Sequence, residues 1–214
     1  MGLAIGVGML PQFEESDPKA VDRFQNDLKF INELLRQEDL PVHVEPERFA
    51  DPLLSRATLS SFPYSWLHCL RRFGAHVIRD PKWIPSPLEP GEDPATDPVL
   101  REMYRHLKSH LLCHSDSEGY YLPIEFERPF LDPSHRLRGG TLGSSQRLRE
   151  ELLLLTDPLE IEVDEEGNLS DQIAGVVASQ RPTGAPFAVE RLVWLALYEA
   201  ARLSIEEGTA IVFY

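Results

Sequence analysis

The stretch FAVERLVWLALYEAARLSIEEG, residues 187–208, limits the fold more than any other part of the chain. It is apolar around most of a helical circumference, and a helix without a polar face has to be covered on several sides. Gly208 supplies a natural stop, and TAIVFY follows with the β-branched and aromatic residues of a strand. Enclosing such a helix takes both a sheet and further helices. The expected class is therefore α+β, with helices packed on a modest mixed sheet and the C-terminal helix at its centre. The opening segment MGLAIGVGML reads as a buried strand and is a candidate neighbour for TAIVFY.

Between these ends, periodicity and punctuation place the other elements. Asp17-Pro18 opens a helix to about Glu38, with Val21, Phe24, Leu28, Ile31, Leu34 and Leu35 on one face. A second helix is expected from Pro63 to Phe73, stopped by Gly74, with a short strand at Ala75–Ile78. Residues 79–98 hold six prolines and read as a surface loop anchored by Trp83 and Ile84. Taken as a linker, this stretch would leave a first domain of under eighty residues, so one domain spanning 1–214 is expected. Asp97-Pro98 starts a third helix with Leu100, Met103, Leu107 and Leu111 inward. HLLCHS (110–115) is expected to pair with YYLPIEF (120–126) in a hairpin turned by DSEG. Ser144 or Ser145 caps a helix to about Leu155. LEIEV (159–163) alternates like a strand, DEEGN turns, and Ser170 caps a short helix.

Charge then narrows the function. The 214 residues carry 35 acids against 21 lysines and arginines, a formal charge of −14. Such a field repels phosphates and anionic membranes, so no nucleic acid and no membrane is expected as a partner; a basic protein suits it. The acids expected to meet that partner are Glu89, Glu92, Asp93 and Asp97 of the loop, with Asp164, Glu165 and Glu166 of the turn. Two cysteines, Cys69 and Cys113, cannot make a disulfide framework and fit a reducing, cytoplasmic setting. The apolar start lacks the basic region of a signal peptide, and no apolar run is long enough to span a bilayer.

Two clusters carry candidate chemistry. His106, His110, Cys113, His114, Asp116 and Glu118 are the densest potential metal ligands, and zinc is the ion they would suit. There is no HExxH and no CxxC, and in the hairpin reading His110 and His114 stand too far apart to chelate together; no cofactor is the preferred expectation. Then SHRLRGGTLGSSQRLREELLLL sets Arg136 and Arg138 before Gly139, Gly140, Gly143, Ser144 and Ser145, with Arg147 just inside the helix. Glycine-permitted amides and a helix N-terminus suit an anion. The stretch matches neither GxxxxGK[ST] nor GxGxxG, so a turn feeding a helix is the plainer reading. Glu125 with Glu127, and Glu160 with Glu162, fit half-exposed strands better than acid–base pairs.

Three functional readings stand. First is an acidic, non-catalytic binding protein, of inhibitor or immunity type, masking a basic partner. Second is a metal-assisted hydrolase built on His106–Glu118. Third is a sensor of a small anion or nucleotide built on Gly139–Ser145.

Overall fold

The computed structural model describes residues 2–10, 18–89 and 91–214. Six strands form one mixed sheet: β1 (Gly2–Val7), β2 (Ser61–Pro63), β3 (Gly119–Leu122), β4 (Phe130–Leu131), β5 (Thr141–Ser144) and β6 (Ile211–Phe213), in the order β2-β1-β6-β3-β5-β4. All neighbours are antiparallel except β3 and β5. The two ends of the chain do meet, with Gly6 opposite Val212.

Seven helices are seen among the described residues: α1 (Pro18–Gln37), α2 (Tyr64–Arg79), α3 (Pro98–Tyr104), α4 (His110–Cys113), α5 (Ser145–Leu153), α6 (Asp171–Ala178) and α7 (Ala188–Glu207). Alternation along the strands sorts them into layers. Tyr121, Ile211 and Phe213 join Leu67, Leu70, Phe73, Leu148, Val193 and Trp194 in one apolar cluster. Tyr120, Leu122, Leu142 and Val212 point the other way, onto Phe24, Leu28, Ile31 and Leu35 of α1. The helix at 188–207 is enclosed as its composition requires, with Leu192, Ala196 and Leu203 buried and Gly208 ending it at φ +66°. No helix of the described residues is long and apolar enough to cross a membrane.

Several expectations need correction. Helix α2 runs through Gly74 to Arg79, so no strand forms at 75–78. Gly74 is a packing residue: a Cβ there would stand 3.3 Å from Leu111. Leu107 is 38 % exposed, beyond the end of α3. In the proline-rich loop Trp83 is the anchor, stacked on His76 and edge-on to Phe73, while Ile84 is 84 % exposed. Asp17, the expected cap of α1, lies outside the described residues.

The expected HLLCHS strand is instead the short helix α4. Its free amides are taken up from outside: Glu151 accepts from the N–H groups of His110 (2.7 Å) and Leu111 (3.0 Å), and Ser109 accepts from Leu112. Buried Arg71 donates to the carbonyls of Leu111 (2.9 Å) and His114 (2.7 Å). With donors and acceptors satisfied this way, no strand partner is needed. LEIEV is likewise not a strand. Ile161 N–H closes onto Thr156 C=O at 2.9 Å and Glu160 takes φ +56°, a left-handed helix ending.

Candidate interaction surface

The charge is not spread evenly. Residues 157–214 hold eleven acids and three arginines, −8 of the −14. Within them, 157–171 hold seven acids and no lysine or arginine. This stretch forms a ribbon along α7. Leu159, Ile161 and Leu169 are buried beneath it, and Glu160, Glu162, Glu165 and Glu166 stand in solvent.

The ribbon is pinned by its carbonyls. Arg191 Nε donates to Leu159 (2.6 Å), Tyr198 OH and Arg149 Nη2 donate to Gly167 (2.8 and 2.9 Å), and Arg56 Nη1 donates to Leu169 (2.6 Å). Arg56 is itself held by Glu199, a fully buried carboxylate of α7 that also takes Arg202. Burial alone would raise the Glu199 pKa, but hydrogen bonds from Arg202 and Arg56 bring it to about 2. The arginines at this end of the molecule thus fix backbone and the internal Glu199, with single contacts to Glu160, Asp171 and Glu206, and four of the seven ribbon carboxylates have no ion pair among the described residues.

Each acid has a definite state. Glu160 pairs with Arg191 (2.8 Å) and Asp171 with Arg56 (3.2 Å). Asp164 folds the turn, accepting from the N–H groups of Asn168 (2.7 Å) and Glu166 (3.1 Å), which hold its pKa below the usual carboxylate range. Asp157, Glu162, Glu165 and Glu166 are exposed and form no ion pair among the described residues. Clefts of about 300 and 490 Å³ border the far half of the ribbon.

Of the loop acids, Glu89, Glu92 and Asp93 are exposed. Asp97 is spent inside the molecule: it caps α3 and faces Arg72 (3.3 Å) and His76 (3.0 Å). The sequence expectation names Asp164, Glu165 and Glu166 of this ribbon and leaves out Glu160 and Glu162, which a strand at LEIEV would claim, as well as Asp157 and Asp171 on either side. The absence of any base from 157 to 171 was the signal to use.

The other two clusters are built differently from expectation. His110 is 1 % exposed, and its Nδ1 accepts from Ser144 N–H at 2.9 Å. The ring proton therefore sits on Nε2, leaving no lone pair for a metal. His114 is buried against Tyr121 with its nitrogens on the carbonyls of Ser115 and Tyr120. Burial lowers both histidines to a pKa of about 4. His106 is exposed, Cys113 is half-buried, and Asp116 bonds His68 at 3.0 Å. No three metal-ligating side chains converge among the described residues. Burial also pushes the Cys69 thiol up to about 12.

In the glycine stretch, Arg138 pairs with Asp27 (2.9 Å), Arg136 with Glu33 (3.2 Å), and Arg147 with Glu125 (2.8 Å) and Glu150 (2.7 Å). Ser144 Oγ caps α5, its N–H goes to His110, and Ser145 bonds Ser204. Gly143 lies against the ring of Tyr121, and Gly139 and Gly140 turn at φ +70° and +64°. The stretch is a strand feeding a capped helix; Arg136, Arg138 and Arg147 each already face an acid, and Arg149 holds the ribbon.

No curated protein and no solved structure matches the chain. A family model described as "Putative DNA-mimic protein" matches residues 1–213. This corrects one expectation drawn from charge. Nucleic acid was excluded because like charges repel; in a mimic the same likeness puts DNA into the account, as the molecule imitated. A basic, DNA-binding protein fits as partner. With that match covering all but the last residue, and an acidic surface to go with it, the chain belongs to the DNA-mimic family.

Proposed function

We propose that this protein is an inhibitor that occupies the DNA-binding surface of a basic protein, setting carboxylates where duplex DNA sets phosphates. The observation that carries the reading is the ribbon at 157–171, with seven acids and no base. Its anchors at Arg191 and Tyr198 lie about 10 Å apart along α7, from a rise of about 1.5 Å per residue. Five acids, from Glu160 to Glu166, belong to the ribbon between them. A duplex carries about six phosphates over the same length, at one per roughly 1.7 Å. The densities are comparable, and the ribbon is held by buried groups, so its charges need little ordering on binding. Glu89, Glu92 and Asp93 extend the acidic surface from the proline-rich loop.

The test is capture followed by competition. Tagged protein retains partners from a native lysate, and a short duplex DNA is then titrated in. The expected result is that a DNA-binding protein is retained and that duplex DNA releases it. The variant Asp157→Asn/Glu162→Gln/Glu165→Gln/Glu166→Gln is expected to retain at least tenfold less. Retention that excess duplex leaves unchanged would sink the reading.

A further inference from the structure

A second contact surface lies outside the ribbon, in the segment that follows α1. Residues 41–46, Pro-Val-His-Val-Glu-Pro, form no helix and pair with no strand of the sheet. Their side chains nevertheless alternate: His43 and Glu45 are buried, while Val42 is 41 % exposed and Val44 78 %. The backbone agrees with that period. The Asn32 carboxamide of α1 accepts from His43 N–H at 2.7 Å and donates to His43 C=O at 2.8 Å. One side chain reaches both groups of a residue where they point the same way, as they do in an extended chain. The carboxamide thus stands in for a neighbouring strand. The buried side chains hold the segment from below. His43 Nε2 lies 2.7 Å from Glu45 Oε2, and Glu45 accepts from Ala210 N–H at 2.8 Å and from the Thr209 hydroxyl.

In an extended chain the N–H and C=O groups of successive residues point to opposite edges. With His43 turned to Asn32, those of Val42 and Val44 face the other edge. None of these four groups is hydrogen-bonded among the described residues. An open edge of this kind is a template for another chain. Pro41 and Pro46 have no N–H and confine it to the two valines. The edge is held in shape before anything binds, so pairing costs little ordering.

Charge selects the occupant. The exposed charged side chains of 38–51 are Glu38, Asp39, Glu47 and Asp51 against Arg48. A second copy paired antiparallel about His43, with Val42 opposite Val44, sets Asp39 opposite Glu47 on both flanks, and like charges facing each other destabilise a strand pair. A strand with lysine or arginine at its ends and β-branched residues between them meets both valines and both flanking acids.

We propose that residues 42–44 are a docking edge to which a basic, extended segment of a partner protein adds as a strand. The basic partner is that of the DNA-mimic reading, on which this inference rests; the edge adds a main-chain contact that carboxylates in place of phosphates do not supply. The test needs neither that partner nor DNA, so the two fail separately.

The probe is an acetylated, amidated heptapeptide, Lys-Thr-Val-Thr-Val-Thr-Lys, titrated into ¹⁵N-labelled protein while amide exchange is followed. In the free protein His43 N–H should be protected and the N–H groups of Val42 and Val44 should exchange readily. The expected result is saturable binding that slows exchange at Val42 and Val44 at least tenfold. The same peptide methylated on its two valine nitrogens keeps its charge but loses those donors, and should bind at least tenfold more weakly. Asp39→Asn/Glu47→Gln should weaken the unmethylated peptide at least threefold; asparagine tolerates the φ of +55° at residue 39. Glu165→Gln/Glu166→Gln removes the same charge from the ribbon and should leave binding within twofold. The idea is overturned by no saturable binding, by equal affinity for the two peptides, or by equal losses in the two double variants. Val42 and Val44 amides already protected in the free protein would overturn it too, and protection that rises with protein concentration would give the edge to a second copy.

Discussion

Glu199 ties three segments together through one carboxylate: α7 carries it, Arg56 brings in the loop before β2, and Arg56 in turn holds the ribbon at Leu169. Removing one partner from a buried ion pair leaves the other uncompensated. Glu199→Gln should therefore cost about 3 kcal/mol, the low end of the buried-pair range because both arginines keep some solvent. The same residue shapes the acid response. Its folded pKa of about 2 lies below the 4.5 of an ordinary glutamate, so its contribution is full above 4.5 and fades as pH falls toward 2. His110 and His114 act earlier. Their folded pKa of about 4 lies below 6.5, so the unfolded chain binds protons that the fold excludes, and stability is lost as pH falls from 6.5 to 4. Urea midpoints taken across pH should decline in two stages, and Glu199→Gln should flatten the lower one. A midpoint constant between pH 6.5 and 4 would count against neutral, buried histidines.

At the scale of elements, what the sequence made legible depended on who satisfies the backbone. Helices α1, α6 and α7 carry their own hydrogen bonds, and their apolar faces, with the Ser170 cap of α6 and the Gly208 stop of α7, are readable from neighbours in sequence. Strand β6 was readable from TAIVFY after a glycine stop. The misread segments are those whose bonds come from afar. Alternation in LEIEV does report inward Leu159 and Ile161 between outward glutamates, but the surface beneath is a helix rather than a sheet. Period two marks an extended or turning chain lying on a core, and pairing is a separate matter. HLLCHS lost its strand to Glu151 and Arg71, forty residues away in each direction. The ribbon was half legible, as a turn with acids, and its full length was hidden by the same misreading. The glycine stretch gives a sharp check on its corrected role. At Gly139 a Cβ would overlap the Glu118 carbonyl, and φ is +70°. Gly139→Ala should destabilise the fold by about 1–3 kcal/mol, as overpacking does, seen as a lower urea midpoint. An unchanged midpoint would mean that the turn can shift aside.

For the molecule as a whole, the −14 charge acts before contact does. Screening shortens from about 10 Å at 0.1 M salt to about 3 Å at 1 M. Association with a captured basic partner should slow steeply over that range, while dissociation, governed by the packed centre of the interface, changes less. The ribbon variant lacking four charges should associate more slowly at low salt and show a shallower salt slope. Stopped-flow kinetics at several salt concentrations would measure both. Equal on-rates at low and high salt would remove charge steering from the account.

The place of β6 between β1 and β3 has a consequence in time. Strands β1 and β2 leave the ribosome early, and the β3-β5-β4 group follows much later, yet nothing in the sheet links the two until residues 211–213 appear. At roughly 5–20 residues per second, β1 waits on the order of 10–40 s for its inner neighbour. The ribbon and its supporting helix precede that last strand. A chain that stops before Ile211 therefore already has the side chains that pin the ribbon, but its sheet is in two pieces, with β1 and β2 unpaired from β3, β5 and β4.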